Sequence, residues 1–274
     1  MLSSEVKEFI KKSLIKGEVV CLTGAGVSLE SGIPVFRGKG GLWERYDPQI
    51  YGYPEGLTAL FKTTPKRVID FIVDFYNSIL NSKPNPVHRI LSLLERQGIL
   101  KSIITQNIDN LHQESGSRNV IELHGNAYRI RCSECFNKFT LEKERLKEFI
   151  RLLKKYRSQR IKLLKILARY FPRCSCGGRF RIDIVLFGEN LSESTLLEAY
   201  RQLDNCKTLI VLGTSLAVYP AANLPFYAKE RGAKIIVINP EITNFSDYCD
   251  YQIRAEAGKA MLEIFKCLTI QDHA

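Results

Sequence analysis

Gly24-Ala25-Gly26-Val27-Ser28, with Gly32-Ile33-Pro34-Val35-Phe36-Arg37-Gly38 just behind it, follows the apolar run Val19-Val20-Cys21-Leu22. A short Val/Leu run closed by a glycine reads as a buried strand leaving the sheet through a tight turn. Glycines at such a turn let backbone N–H groups approach a phosphate with no Cβ in the way. The stretch is half of a dinucleotide fingerprint, because position 29, where G-x-G-x-x-G wants its third glycine, is a leucine. Taken alone it reads either as a nucleotide loop or as a plain tight turn.

The surrounding chain favours the first reading. Further apolar runs at 99–104, 120–123, 182–187, 209–212 and 235–238 read as strands. Helical periodicity occupies 5–16, 65–80, 87–96, 191–203, 221–231 and 258–268. Continuous Val/Ile/Leu strands alternating with helices predict an α/β fold, a doubly wound parallel sheet covered on both faces. The cysteine-bearing region 129–181 interrupts the alternation and reads as an inserted small module.

At 274 residues the chain is long enough for a full core, as one large domain or one large and one small. No apolar run reaches the roughly 18 residues of a membrane span. The N-terminal residues lack a signal-peptide core and read as the start of an amphipathic helix. The expectation is a cytoplasmic protein with no membrane partner. Of eight cysteines, Cys21, Cys206, Cys249 and Cys267 read as ordinary buried thiols, whereas Cys132, Cys135, Cys174 and Cys176 are paired. Paired cysteines inside a cell favour metal over disulfides. Four thiolates make a closed tetrahedral zinc site, structural and not catalytic. The second pair is one residue short of C-x-x-C, a strain that Gly177-Gly178 can relieve. The 38 residues between the pairs exceed the 15–20 usual for such ribbons.

Three polar constellations stand at strand ends, where open α/β sheets bind ligands. Thr105-Gln106-Asn107-Ile108-Asp109-Asn110-Leu111-His112 follows one strand. It reads as crevice lining or as a capped helix start with His112 on the solvated face. Gly213-Thr214-Ser215 follows another strand, and Asn239 ends the next. They read as a ribose-contacting pair or as a helix cap and a turn. His124-Gly125 ends 120–123, and a histidine so placed is a general-base candidate.

In this order the motifs resemble the sirtuins, the NAD-dependent protein lysine deacylases, over about residues 14–268. The resemblance is to a prokaryotic or archaeal-type catalytic core. It rests on the two glycine stretches, Pro84-Asn85-Pro86-Val87-His88, the 105–112 stretch and Leu123-His124-Gly125. It also rests on the four cysteines, Phe187-Gly188-Glu189, Gly213-Thr214-Ser215-Leu216 with Pro220-Ala221-Ala222, and Ile238-Asn239. The resemblance implies a Rossmann-type NAD-binding domain from 1–38, 83–128 and 182–274. It implies a smaller domain from a helical module, 39–82, and a zinc module, 129–181, holding one structural zinc ion on the four cysteines. NAD contacts carried over are Gly24, Ala25, Gly26, Ser28, Phe36, Arg37, Gln106, Asn107, Asp109, His124, Gly213, Thr214, Ser215 and Asn239. His124, as base, and Asn107 are the implied catalytic residues. Val185, Phe187, Gly188 and Glu189 are the implied contacts to an acyl-lysine protein substrate. The implied reaction is attack of the acyl-lysine oxygen on C1′ of the nicotinamide ribose, giving nicotinamide, O-acyl-ADP-ribose and free lysine.

Three features depart from the family pattern: Val35 where many members have Asp, the shortened second cysteine pair, and the long interval between pairs. Ile72 and Phe75 stand where some members carry the Tyr-x-x-Arg that binds acidic acyl groups. Acetyl or apolar acyl groups are therefore expected over succinyl. A non-catalytic zinc-ribbon binding module does not need His124 or the polar 105–112 cluster. A dehydrogenase is disfavoured by the missing third glycine.

The net charge of +11 is concentrated between residues 141 and 170, where eleven Lys or Arg face three Glu. That segment lacks Gly and Pro, and its apolar residues recur with helical period, with a break near Ser158-Gln159. One long helix or a helical hairpin is expected. Its basic face reads as a docking surface for nucleic acid or an acidic partner, or as a solvated helix face.

Overall fold

The computed structural model describes residues 4–15, 17–38 and 40–269, so the parts of the expected spans at 1–3, 16, 39 and 270–274 lie outside the described residues. In chain order the elements are α1 (Ser4–Ile15), β1 (Val19–Thr23), a 3-10 segment (Ala25–Ser31), α2 (Leu42–Arg45), α3 (Pro48–Tyr51), α4 (Pro54–Thr63), α5 (Pro65–Asn81) and α6 (Pro86–Arg96). Then come β2 (Leu100–Thr105), α7 (Leu111–Glu114), β3 (Val120–Glu122), β4 (Gly125–Cys132), β5 (Lys138–Thr140), α8 (Lys143–Tyr156), α9 (Arg160–Tyr170) and β6 (Phe180–Ile184). The chain closes with α10 (Glu193–Asp204), β7 (Thr208–Leu212), a 3-10 turn (Ala221–Asn223), α11 (Leu224–Glu230), β8 (Lys234–Ile238), β9 (Tyr251–Ile253) and α12 (Ala257–Thr269).

Six of the strands form a parallel sheet in the order β3-β2-β1-β7-β8-β9. Side chains alternate across it. Val19, Cys21, Ile210 and Ile236 bury one face against α1, α6 and α12, while Val20, Leu22, Val211 and Val237 bury the other against α10 and α11. This two-faced burial explains why the strands read as unbroken apolar runs. The chain runs outward from β1 to β3 and then restarts beside β1 at β7. The switch point therefore falls between β1 and β7, and the crevice there receives ligands in this class of sheet.

The expected strand at 182–187 needs correction. It spans Phe180–Ile184 and runs antiparallel to β4 in a separate sheet of order β5-β4-β6. It ends there because Gly188 takes a left-handed φ of 81° and Glu189 N–H closes a turn onto the Leu186 carbonyl. The small sheet begins immediately after His124, so the chain passes from one sheet to the other at that residue.

The basic insert is a hairpin, α8 and α9, with its break at 157–159. Leu146, Phe149, Ile150 and Leu153 of α8 pack with Leu163 and Ile166 of α9 onto Ile69, Val73, Tyr76 and Ile79 of α5. The hairpin thus braces α5 from behind. The small parallel strand β9 and the short helices α2 and α3 carry too few residues to show a period, and the sequence gives no sign of them.

Candidate active site

The loops after β1 and β7 touch backbone to backbone. Gly26 N–H donates to the Gly213 carbonyl at 2.8 Å, and Gly24 N–H to the Leu212 carbonyl at 3.1 Å. A Cβ on Gly24 would lie 2.6 Å from Thr214 Cβ, and one on Gly26 would lie 2.9 Å from Gly213 Cα. Gly213 itself has φ +62° and approaches Val27 N. The amides of Gly24 and Gly26 close the two loops together, and the smallness of the residues serves that contact. In the two loops the amides of Ala25, Thr214 and Ser215 find no acceptor among the described residues and are free for an anion. Asn239 steadies the same loop, its Nδ2 donating to the Thr214 carbonyl at 2.9 Å while its Oδ1 accepts from Glu241 N–H at 3.0 Å. Gln106 reaches it from β2's end, Nε2 to Thr214 Oγ1 at 2.9 Å.

A second knot joins the glycine loop to the 105–112 stretch. Asn107 Nδ2 donates to the Gly24 carbonyl (3.0 Å) and to Ser28 Oγ (3.1 Å). Ser28 donates in turn to Asp109 Oδ2 at 2.7 Å, and Asp109 Oδ1 accepts from Leu111 N–H. Burial pushes the Asp109 carboxyl up despite these two hydrogen bonds. Asn107 and Asp109 line a pocket with Ile33, Phe36 and Ile108, continued by Phe75 and Ile79 of α5. Phe36 rests on Trp43, and Arg37 stacks over Phe187, so the 32–38 segment is held against the loop that follows β6. Ala25 starts the 3-10 segment between the two glycines.

His112 departs from both readings of its stretch. It is 1% exposed, with Nε2 at 3.0 Å from Thr23 Oγ1 and its ring 4.8 Å from that of His88. Burial lowers both imidazoles, His88 to about 4, so they stay neutral and sealed off. His124 is different. Its Nδ1 lies 3.0 Å from the Gln106 carbonyl. A carbonyl can only accept, so Nδ1 carries the proton and Nε2 keeps a lone pair. Burial holds the ring below its ordinary value, with the Gln106 carbonyl opposing in part.

Val185 N–H donates to the His124 carbonyl at 3.0 Å, which places the 185–189 segment beside the histidine. Phe187 packs between Trp43 and Tyr53. Gly188 forms the turn, and Glu189 is engaged by the Arg181 guanidinium and by Leu186 N–H. Those bonds outweigh burial and hold its carboxyl below the ordinary carboxylate range.

Cys132, Cys135, Cys174 and Cys176 bring their sulfurs within 4.8 Å of one another, with contacts of 3.5 Å (Cys132–Cys176) and 3.6 Å (Cys135–Cys174). Zinc–sulfur bonds near 2.3 Å in a tetrahedron require sulfurs about 3.8 Å apart, so the donor set fits zinc. Gly177 turns with φ +90°, and a Cβ on Gly178 would sit 2.6 Å from Cys132 Sγ. Both glycines are thus needed to seat the shortened pair.

Sequence reasoning missed Thr23 and, of the α5 residues lining the pocket, Asp74, Ser78 and Ile79. The threonines link across two strands, Thr23 Oγ1 donating to Thr105 Oγ1 at 2.8 Å, and Thr105 Oγ1 accepts Asn107 N–H. A polar residue ending an apolar run was the one available signal.

The fold and crevice define a nucleotide-binding α/β protein with a structural-metal module. The chain belongs to the Sir2 family, whose description matches residues 24–220. It is 41% identical over 249 residues to an NAD-dependent protein deacylase of Thermococcus kodakarensis, covering 90% of this chain and 89% of the relative. A solved Sir2 homolog–NAD complex superposes with TM-score 0.76 at 39% identity, covering 95% of this chain and 93% of that one. A Sir2–p53 peptide–NAD+ complex superposes with TM-score 0.74 at 33% identity, covering 97% and 98%.

Proposed function

We propose that this chain is an NAD-dependent protein lysine deacylase. The observation that carries the reading is His124, with Nδ1–H fixed by a backbone carbonyl and Nε2 unpaired, at the passage between the two sheets. Bound NAD supplies the nicotinamide–ribose bond at whose C1′ the acyl-lysine oxygen is captured. The chain's residues do the rest. The amides of Thr214 and Ser215, with Asn239, Gln106 and the Gly24–Ser28 loop, bind the adenosine and phosphate side. Asn107, Asp109 and Ser28 shape the pocket for the nicotinamide end, with Phe36 and Arg37 closing it. His124 accepts a hydroxyl proton at Nε2. The 185–189 segment aligns the substrate peptide beside it. The four cysteines hold a structural zinc ion remote from this chemistry.

The lobes divide the work as nucleotide domain (1–38, 83–128, 182–274), helical module (39–82) and zinc module (129–181). β4 and β6 carry the small sheet a few residues past the last of these limits. The four cysteines outside the zinc set, Cys21, Cys206, Cys249 and Cys267, are free thiols, which suits a reducing cytoplasm. No described helix is long and apolar enough to cross a membrane.

The acyl group is acetyl or another apolar chain. Phe75 stands where members that take acidic acyl groups carry a guanidinium, and it continues the pocket with Ile79; the one guanidinium on the pocket wall among the described residues, Arg45, already faces Asp74 at 4.0 Å. With NAD and acetyl-lysine peptide, free nicotinamide and deacetylated peptide are expected. Succinyl-lysine peptide should turn over at least about tenfold more slowly, the cost of an unpaired carboxylate. Faster turnover of the succinyl peptide would overturn the acyl assignment.

We also read the outer face of the α8–α9 hairpin as a nucleic-acid docking surface. Arg145, Arg151, Lys154, Lys155, Arg160, Lys162 and Lys165 have no carboxylate partner among the described residues, unlike Lys143, Lys147, Arg157 and Arg169. Deleting the hairpin would expose α5, so charge is the better probe. Changing Lys154, Lys155, Lys162 and Lys165 to Gln should weaken duplex DNA binding and flatten its logarithmic salt slope by about 0.9 per lost phosphate contact. Unchanged affinity and slope would sink this reading.

A further inference from the structure

β4 does not run straight from His124. Asn126 opposes Asp183 and Ile130 opposes Ile182, so residues 127–129 bulge out of the ladder with β6, Arg129 pairing instead with Thr140 of β5. Bulges of this kind re-aim side chains next to active sites. Here the bulge is tied down on one side, Ala127 N–H donating to the Ile108 carbonyl at 2.8 Å and Tyr76 Oη to the Ala127 carbonyl at 3.0 Å. On the other side it throws Arg129 back across its own strand. The guanidinium meets Glu122 (Nη1 to Oε2, 2.9 Å) and Asp183 (Nε to Oδ2, 2.7 Å).

These two carboxylates flank the catalytic passage. Glu122 ends β3, two residues before His124. Asp183 lies in β6, two residues before Val185, whose N–H holds the His124 carbonyl. Both are nearly sealed, with side chains 9% and 5% exposed. Asp183 also presses its backbone carbonyl onto Gly125, where no side chain would fit. Glu122 takes two further hydrogen bonds, from Gln113 and Asn126. No other cation among the described residues reaches both carboxylates. Arg131 lies 3.2 Å from Asp183, but its Nε–H is not aimed at the carboxylate, and Lys138 touches only Asp183 at 3.4 Å.

We propose that Arg129 is a positioning residue for the deacylation, clamping the strand that delivers His124 to the strand that enters the substrate-binding segment. The proposal rests on the reading of Val185 and its neighbours as that segment. Arg129 touches neither substrate nor cofactor. Its fork fixes where the 185–189 segment stands beside the imidazole, and so how well the peptide is seated. The loops that hold the adenosine side follow β1, β2, β7 and β8, none of which carries a member of this clamp. Its loss should therefore fall on the peptide and spare the nucleotide.

Steady-state kinetics of Arg129→Met, with acetyl-lysine peptide and NAD varied separately, tests this. KM for the peptide is expected to rise about tenfold while KM for NAD stays within about twofold. Arg129→Lys, whose single ammonium satisfies one carboxylate at a time, should recover part of the loss. Arg131→Met should remain near wild type. An unchanged peptide KM in Arg129→Met, a parallel rise in both constants, or an equal effect from Arg131→Met would overturn the proposal. If Arg129→Met does not fold, Arg129→Lys decides: a peptide KM raised about threefold supports the clamp, and a wild-type value overturns it. Val185→Asp separates the two levels. If it leaves peptide KM unchanged, the substrate-segment reading fails. If it raises KM while Arg129→Met does not, only the clamp fails.

Discussion

Replacing His124 with asparagine should slow deacylation by about 10²–10⁴-fold, the usual worth of a positioned general base. Asparagine keeps a donor for the Gln106 carbonyl, so the local backbone has reason to stay in place. What it lacks is the basic lone pair that Nε2 offers. Binding of NAD should change little, because the amides and loops that hold the adenosine side do not depend on the imidazole. The pH profile carries the second half of the prediction. A general base must be neutral to act, and burial lowers the pKa of His124 below the ordinary histidine value. Lowering the pKa keeps the ring neutral to lower pH. The acid limb of kcat/KM should therefore lie below about pH 6.5, the unperturbed value, and should vanish from the profile of the asparagine variant. A variant with full activity, or a wild-type limb well above that pH, would remove His124 from the mechanism.

The choice of His124 shows what the sequence could and could not supply. Its place at the end of an apolar run makes it the base candidate, whereas His112 reads as crevice lining or as a solvated helix position. The fold seals His112 against His88 and Thr23 and leaves Nε2 of His124 unpaired. The doubly wound sheet was legible because β1, β7 and β8 bury both faces and so carry unbroken apolar runs. The strand at 180–184 was legible as a strand but not as an antiparallel one. A half-buried β6 has the same residue types as a parallel strand, and its partner β4 lies some fifty residues upstream across the hairpin insert. The glycines were legible as special but for a different reason. A gap in a fingerprint says that backbones approach closely, without saying whether the neighbour is a phosphate or, as at Gly213, another loop. Arg129 had no signal at all, since a bulge depends on pairing that no local pattern encodes.

Serine in place of Cys132 should cost the chain its zinc and melt the small lobe, leaving the parallel sheet folded at the same temperature. Structural zinc binding is worth about 10–16 kcal/mol in peptides that have no other core. Less than that will appear here, because Leu146, Phe149, Leu153 and Leu163 give the hairpin an apolar core of its own. The sulfurs nevertheless staple the two ends of the insert, Cys135 before β5 and Cys174 just after α9. Without that staple, β5 and the 171–179 turn lose their main restraint. Chelation of the wild-type protein should give the same outcome with a telling time course. Cys132 ends β4 while His124 precedes it, a separation of roughly 20 Å along the strand. Four thiolates also leave no open coordination position. A chelator should therefore leave the initial rate untouched and shorten the half-life of the enzyme at elevated temperature, with one zinc released per chain as activity decays. Immediate loss of rate with unchanged circular dichroism would instead make the metal part of the chemistry. Retention of both rate and melting temperature after complete removal would show that the four sulfurs do not need an ion to hold the module.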